Sequence, residues 1–339
     1  MTADTPIDRL RELTDLAGPF AVRVAATLRL PDLIEDGRHG LADLAAATDT
    51  DADALGQLLR YLVRREVFTE TAPDHFELTD VGRLLRDTGL VGHRQWLDLD
   101  GLGFHMDMAY TGLLHSVRTG EPGYAAVHGR TLWEELDDAP AFRRYFDELM
   151  RSEQRRTAPQ VARLYDWSAA ADVVDVGGGN GGLLAEVLAE HRHLRGVLID
   201  RPASAPAAAA TFAEMGVADR AAFVAASFFE PLPRTADVVV VSRVLSDWPD
   251  ASAGAILQHC AAAARRPGGR VLIVEVLRTG PDLPVQNPHF DLNMLVIVGG
   301  RERSVADAER LAASAGLALA GVLRGEGGLV LLDCVATSG

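Results

Sequence analysis

Residues 172–182 read DVVDVGGGNGG. The apolar run Val173 to Val176 is broken only by Asp175. It passes into Gly177, Gly178 and Gly179, then Asn180, Gly181 and Gly182, and then the helical pattern LLAEVLAEH. A short apolar run, a glycine cluster and a helix describe a buried strand whose turn opens a helix. Glycine is required where backbone presses close to a ligand or where φ is positive. In an open α/β sheet such a turn lies where nucleotide-like ligands bind. Gly177, Gly179 and Gly182 also satisfy G-x-G-x-x-G, with Asp200 about 20 residues further on, so a dinucleotide remains open from this stretch alone.

Strand–helix alternation sets in from residue 172. Strands are expected at 172–176, 195–199, 221–225, 236–241 and 269–276, with helices between them, a helical stretch at PHFDLNMLVIVGG, a capped helix at ERSVADAERLAASAG, and two final strands near 317–323 and 328–335. The fold class is therefore α/β, a Rossmann-like doubly wound sheet with a terminal hairpin.

The N-terminal part is different. Residues 7–28 have helical periodicity with a kink expected at Gly18-Pro19. A short helix follows, stopped by Gly37, and then two helices joined at Asp49–Asp51, where an acid caps the second. Val67–Glu70 and His75–Leu78 flank a turn and form a hairpin. Helix–turn–helix plus hairpin is a winged helix. DNA binding is its obvious use, and a ligand-responsive regulator is a reading of another class. The second helix, however, carries Asp51 and Asp53 in the turn that would face phosphate. The chain's net charge is −15, against the cationic surface that nucleic acid requires. Packing or dimerisation is the expected role. The segment 92–155 reads as all-helical around a loop at Gly120–Gly123, rich in Trp, Phe, His and Met. Its His105 and Trp133 are candidates to line an apolar substrate chamber. The expected division is 1–90 winged helix, 91–160 helical linker and 161–339 Rossmann-like domain.

Composition removes several chemistries. All 33 Lys+Arg residues are arginine, so Schiff-base catalysis, pyridoxal phosphate and a P-loop, which need lysine, are excluded. Two cysteines, Cys260 and Cys334, make no disulfide or zinc framework. No metal is expected, and the default is a reduced, cytoplasmic protein with inert thiols. No apolar run approaches the ~18–20 residues of a membrane span.

An acid at the end of the second strand, Asp200, suits a ribose diol, and Ser227-Phe228-Phe229 after the third is apolar enough to flank an adenine. With these in place, VVDVGGGNGG, Asp200, SFFEPLP, RVLSDWPD, RRPGGRVLIVE and DLNMLVIVGGRERS together resemble the small-molecule O-methyltransferases of the plant caffeate and bacterial aromatic-polyketide type. The likeness covers nearly the whole chain and favours S-adenosylmethionine (SAM), or S-adenosylhomocysteine, over NAD. It implies a homodimer, an aromatic or polyketide acceptor, and neither nucleic acid nor membrane as partner. By position, it implies that Asp175, Gly177 and Gly179 lie at the cofactor's methionine end, Asp200 at the ribose, and Ser227, Phe228 and Phe229 at the adenine. Ser242, Arg243 and Trp248 would line the cofactor side of the fourth strand. Glu275, Asn293, Met294 and Glu302 would lie near the acceptor hydroxyl, with His289 one helical turn from Asn293.

Two departures stand out. Ser227 replaces an Asp that bonds the adenine amino group. Ser246 replaces the His of the family's HDW motif, the general base, and a hydroxyl with no adjacent base does not take a proton at neutral pH. Methyl transfer by alignment alone is the first reading. SAM-dependent chemistry without methyl transfer, namely hydroxylation, decarboxylation or a pericyclic step, is the alternative. His105, His115, His128 and His289 are the other candidate bases.

Overall fold

The structure is a computed structural model that describes residues 5–89, 91–264, 268–276 and 288–337. These residues form two compact units divided between Asp107 and Met108. The loop expected after Glu275, from 277 to 287, lies outside the described residues, as do 265–267 of the turn before it.

The N-terminal unit runs α1 (Pro6–Thr14), α2 (Ala17–Thr27), α3 (Leu30–Glu35), α4 (Leu41–Thr48), α5 (Ala52–Arg64), β1 (Phe68–Ala72), β2 (His75–Leu78), α6 (Asp80–Arg83), α7 (His93–Leu97) and α8 (Leu102–Met108). β1 and β2 pair antiparallel. With α4 and α5 they complete the winged helix, Asp49 turning at φ 52° and Asp51 Oδ1 capping α5 by accepting Ala54 N at 2.8 Å. The kink expected at Gly18-Pro19 is instead a break three residues earlier. The Asp15 carboxylate accepts the amides of Ala17 and Gly18, which leaves Pro19 in the first turn of α2, where a missing N–H costs nothing. The core is Leu30, Leu44, Leu59, Leu62, Phe68 and Phe76, each 1% exposed or less. Helix α1 buries none of its side chains and leaves Ile7, Leu10 and Leu13 exposed.

The C-terminal unit begins with helices α9 (Leu113–Thr119), α10 (Gly123–His128), α11 (Leu132–Asp138) and α12 (Pro140–Leu164). Then come β3 (Asp172–Val176), α13 (Gly182–Glu190), β4 (Arg195–Asp200), α14 (Ala205–Glu214), β5 (Ala221–Ala225), β6 (Val238–Ser242), α15 (Asp250–Ala263), β7 (Arg270–Val276), α16 (Pro288–Val298), α17 (Val305–Ser314), β8 (Leu317–Arg324) and β9 (Leu329–Ala336). The strand order is β5-β4-β3-β6-β7-β9-β8, parallel through β7 and antiparallel at the terminal hairpin.

The valines of β6, Val238 to Val241, are at most 2% exposed, each stabilising the sheet by roughly 1.5–3 kcal/mol through burial. Helices cover both faces, so central strands read as continuous apolar runs. Strand order reverses between β3 and β6. The carboxyl ends at that switch point are where an open α/β sheet leaves a crevice.

Candidate functional site

A cavity of about 600 Å³ opens at this crevice, walled by the glycine turn, the ends of β4, β5 and β6, and helix α12. The turn after β3 has Gly177 at φ +71° and Gly179 at φ +59°, conformations that cost an L-residue roughly 1–2 kcal/mol. A Cβ on Gly177 would stand 2.7 Å from Val244 Cγ2, whereas one on Gly179 would meet nothing within 4 Å. The second position opens onto space where a ligand's backbone-facing atoms fit.

Asp200 holds the turn. Its Oδ2 accepts Gly179 N at 2.7 Å, and its Oδ1 accepts Arg201 N at 2.6 Å and Ser204 Oγ at 3.0 Å. Ser204 Oγ in turn accepts from Arg143 of α12 at 3.0 Å. Buried Asn180 ties the turn to the same helix, donating to Asp147 O at 3.1 Å and accepting Gly182 N at 3.0 Å. Asp175 lies beneath, 1% exposed, with no hydrogen-bond partner on either carboxylate oxygen among the described residues. Burial, and then the charge of Asp200, push its pKa up to about 7.

An aromatic group forms the opposite wall. The rings of Phe228 and Phe229 lie 4.9 Å apart, Phe229 meets Trp248 at 4.8 Å, and Trp248 stacks on Trp133 at 6.4 Å. Arg201 sits 5.5 Å over the Trp133 ring and reaches Asp137 at 2.6 Å.

The turn after β6 is clamped from three sides. Arg243 adopts φ +56°, its amide donating to Val274 O at 2.9 Å. Glu275 Oε1 accepts Leu245 N at 3.0 Å and Ser246 N at 3.3 Å. Buried Arg303 donates to Leu245 O, to Trp248 O and to Asp250. Arg301 N donates to Ser246 O at 2.8 Å. Asp247 faces the cavity, and burial, followed by the neighbouring Glu275 carboxyl, pushes it up to about 8.

The cavity thus gathers Gly177, Gly179, Asp200, Ser227, Phe228, Phe229, Ser242, Arg243, Trp248 and Trp133 from the residues the sequence points to. It does not gather the rest. Glu275 is 3% exposed and shifted upward by burial; its Oε1 accepts two backbone amides, while Oε2 has no hydrogen-bond partner among the described residues. Glu302 is 6% exposed and hangs by its amide from Asp291 Oδ1. Ser246 does not line the cavity. On α16, Asn293 accepts from Tyr110, Met294 O accepts Gly300 N, and His289 is exposed to solvent. His115 is also exposed, and His128 packs on Tyr124 at 4.5 Å. His105 belongs to the N-terminal unit and is half-buried. The sequence reading missed Arg143, Asp147 and Asn180. Only the crossing of α12 over the glycine turn reveals them.

The residues fit an adenosyl amino acid. A carboxylate stands at a strand end for a ribose diol, aromatic faces for an adenine, and an open glycine turn beside Arg143 and Asp147 for a zwitterion. Among the described residues no group of three or more His, Cys, Asp or Glu is gathered for a metal, and no helix is long and apolar enough to cross a membrane.

The fold and site define a class: a doubly wound α/β transferase that binds SAM, preceded by a winged-helix unit. Sequence profiles of an O-methyltransferase domain and an O-methyltransferase dimerisation domain match residues 110–318 and 12–88, and the chain belongs to the SAM-dependent O-methyltransferase family. It is 44% identical to a 2,7-dihydroxy-5-methyl-1-naphthoate 7-O-methyltransferase of Streptomyces carzinostaticus over 91% of this chain and 92% of that one. It is also 44% identical to the aclacinomycin 10-hydroxylase RdmB of Streptomyces purpurascens over 92% of this chain and 84% of that one. The crystal structure of NcsB1, an O-methyltransferase from neocarzinostatin biosynthesis in complex with SAM and 2-hydroxy-5-methyl naphthoic acid, superposes with a TM-score of 0.86 at 42% identity, covering 96% of this chain and 98% of that one.

Proposed function

We propose that this chain methylates a hydroxyl of an aromatic, polyketide-type natural product, as a cytoplasmic homodimer, by aligning the acceptor rather than by deprotonating it with a histidine. SAM supplies an electrophilic methyl group and leaves as S-adenosylhomocysteine. The single observation that carries the base-free reading is the clamped turn at 244–248. By the family resemblance Ser246 stands where the base would be, and Glu275, Gly300, Arg301 and Arg303 fix the backbone of that turn. A rigid wall suits alignment, and alignment is worth up to about 7–11 kcal/mol, against about 10²–10⁴-fold for a general base.

Asp200, Phe228, Phe229 and Trp248 hold the adenosine, and Gly177, Gly179, Arg143 and Asp147 its amino-acid end. Asp175 supports the turn from below. Ser227 and Ser242 line the cofactor side, while Glu275 and Glu302 position the turn and the segment after α16. Trp133, Asn293, Met294 and His289 remain the acceptor-side candidates. The exposed apolar row on α1, Ile7, Leu10 and Leu13, within and beside the matched dimerisation domain, supports the homodimer.

The test is incubation with methyl-labelled SAM and a panel of hydroxynaphthoates and other phenolic aromatics. Label is expected in an O-methyl ether. SAM bound and no label moved would sink transfer. An acceptor that gains oxygen instead would favour the hydroxylating alternative, to which the equal identity with RdmB points.

A further inference from the structure

The guanidinium of Arg243 is unusual in this site. Arg243 is exposed and lines the cavity, and among the described residues its side chain makes no hydrogen bond and no ion pair within 4 Å. Its guanidinium carbon lies 5.5 Å from the centre of the Phe290 ring of α16. Its backbone is held at φ +56°, where a non-glycine residue is disfavoured. Strain of this kind persists where the surroundings over-determine it, and it clusters at functional sites.

Two buried acids feel its charge, which lowers both Glu275 and Asp247 against the upward push of burial, but neither pairs with it. Glu275, from β7, accepts the Leu245 and Ser246 amides on Oε1, with Arg303 on that same turn, and makes no hydrogen bond or ion pair with Arg243. Asp247, on Arg243's own turn, is pushed up to about 8, so it stands largely protonated near neutrality. A permanent cation with no hydrogen-bonded or ion-paired counter-charge among the described residues is therefore open to an anionic ligand. Ser242 and Trp248, on the same strand end and turn, serve the cofactor side, but the Arg243 guanidinium is directed to Phe290 of α16, the helix that carries the acceptor-side candidates Asn293 and Met294. That placement favours the acceptor as its ligand, in place of the cofactor role that the family resemblance implies for this position.

We infer that Arg243 is the group that receives the acceptor's oxygen as an anion, so that the enzyme selects acidic phenols and binds them as phenolates. This rests on the methyl-transfer reading and names its substrate class. The phenol proton goes to water as the acceptor enters. The phenolate lone pair then forms the O–CH3 bond while the S–CH3 bond breaks with its electron pair staying on sulfur, and no proton moves in that step. The missing histidine is thereby accounted for, because a cation beside the oxygen favours its charged form.

The test uses the full chain with S-adenosylhomocysteine and a nitro-substituted hydroxybenzoate, whose phenolate absorbs at longer wavelength than its phenol. In wild type the bound probe should ionise at least one pH unit below the free probe, a tenfold or greater preference for the anion. The shift should vanish in Arg243→Gln and in Arg243→Asn, the latter a residue tolerant of the left-handed backbone, and return in part in Arg243→Lys. S-adenosylhomocysteine affinity by calorimetry should be unchanged in all three, which also shows that the site is folded. A probe that does not bind, an unshifted probe in wild type, or an equal shift in Arg243→Gln overturns the inference. So does cofactor affinity falling tenfold in Arg243→Gln, since that would make Arg243 a cofactor ligand. Wild type that binds the phenolate yet moves no labelled methyl supports the inference and overturns only the transfer reading.

Discussion

Asp200 and Gly179 are joined by a hydrogen bond of 2.7 Å, from the Gly179 amide to the Asp200 carboxylate. The acid that ends β4 therefore does two jobs: it shapes the glycine turn after β3 and presents its remaining lone pairs to the cavity. A hydrogen bond to a charged group contributes about 1.5–3 kcal/mol, and each 1.4 kcal/mol is tenfold in affinity. Asp200→Asn should weaken SAM and S-adenosylhomocysteine binding by roughly 10–100-fold. Calorimetry reads this directly, and affinity within twofold of wild type would show that the carboxylate is not a cofactor ligand.

Gly300 packs its α-carbon against the Ser246–Asp247 backbone. A Cβ there would stand 2.6 Å from Asp247 C, and the obstruction is main chain, which has no rotamer to yield. Gly300→Ala should displace the clamped turn and lower kcat at least tenfold, with a stability loss of about 1–3 kcal/mol from overpacking. Normal kcat with normal melting would remove the turn's rigidity from the mechanism.

The sheet was legible because β-branched runs bounded by glycine leave little choice. The DVVDV run occupies β3, and the two final strands fall within a residue or so of their expected ends. Where the chain departs from expectation, tertiary contacts decide. Nothing local marks Asp15 as the residue that ends one helix and starts the next. Arg143 is one arginine among several along α12, and only the topology sets it against Ser204. Arg303 reads as part of a charged loop, yet it is 4% exposed and clasps the turn after β6. Glu275 was recognisable as an acid at a strand end, but its commitment to backbone amides depends on which strand lies beside it.

Asp175 makes stability depend on pH. Its folded pKa, about 7, lies above the unfolded 3.8. Between those values the native carboxyl holds a proton that the unfolded one has lost, so stability falls as pH rises from about 4 to about 7 and levels off above. The shift corresponds to a few kcal/mol, about 1.4 per unit. Asp175→Asn cannot ionise. Its urea midpoint relative to wild type should rise between pH 5 and pH 8, and a difference independent of pH would show that Asp175 titrates normally.

Cys260 and Cys334 are each fully buried, and burial holds both thiols up at about 12. The thiolate is the reactive form. Native protein should show no thiol reactive toward Ellman's reagent over an hour, and two after unfolding in guanidinium. A stoichiometric native thiol would mean that β9 or α15 opens readily.

Ser246 stands between buried Leu245 and cavity-facing Asp247, on a backbone fixed from three sides. If alignment alone drives transfer, the wild-type rate should follow ionisation of the bound acceptor. It should climb with pH below that acceptor's pKa and plateau above it. Ser246→His introduces a group that titrates near 6.5 and adds a base worth about 10²–10⁴-fold where the phenol is still protonated. Its profile should therefore flatten, with the gain confined to the acidic limb and little change on the plateau. The measurement is kcat from pH 6 to 10 for both proteins on one acceptor. A variant that accelerates equally at every pH would mean that the imidazole repositions the acceptor rather than taking its proton. A variant with no gain anywhere would mean that the wild-type turn already hosts another proton acceptor.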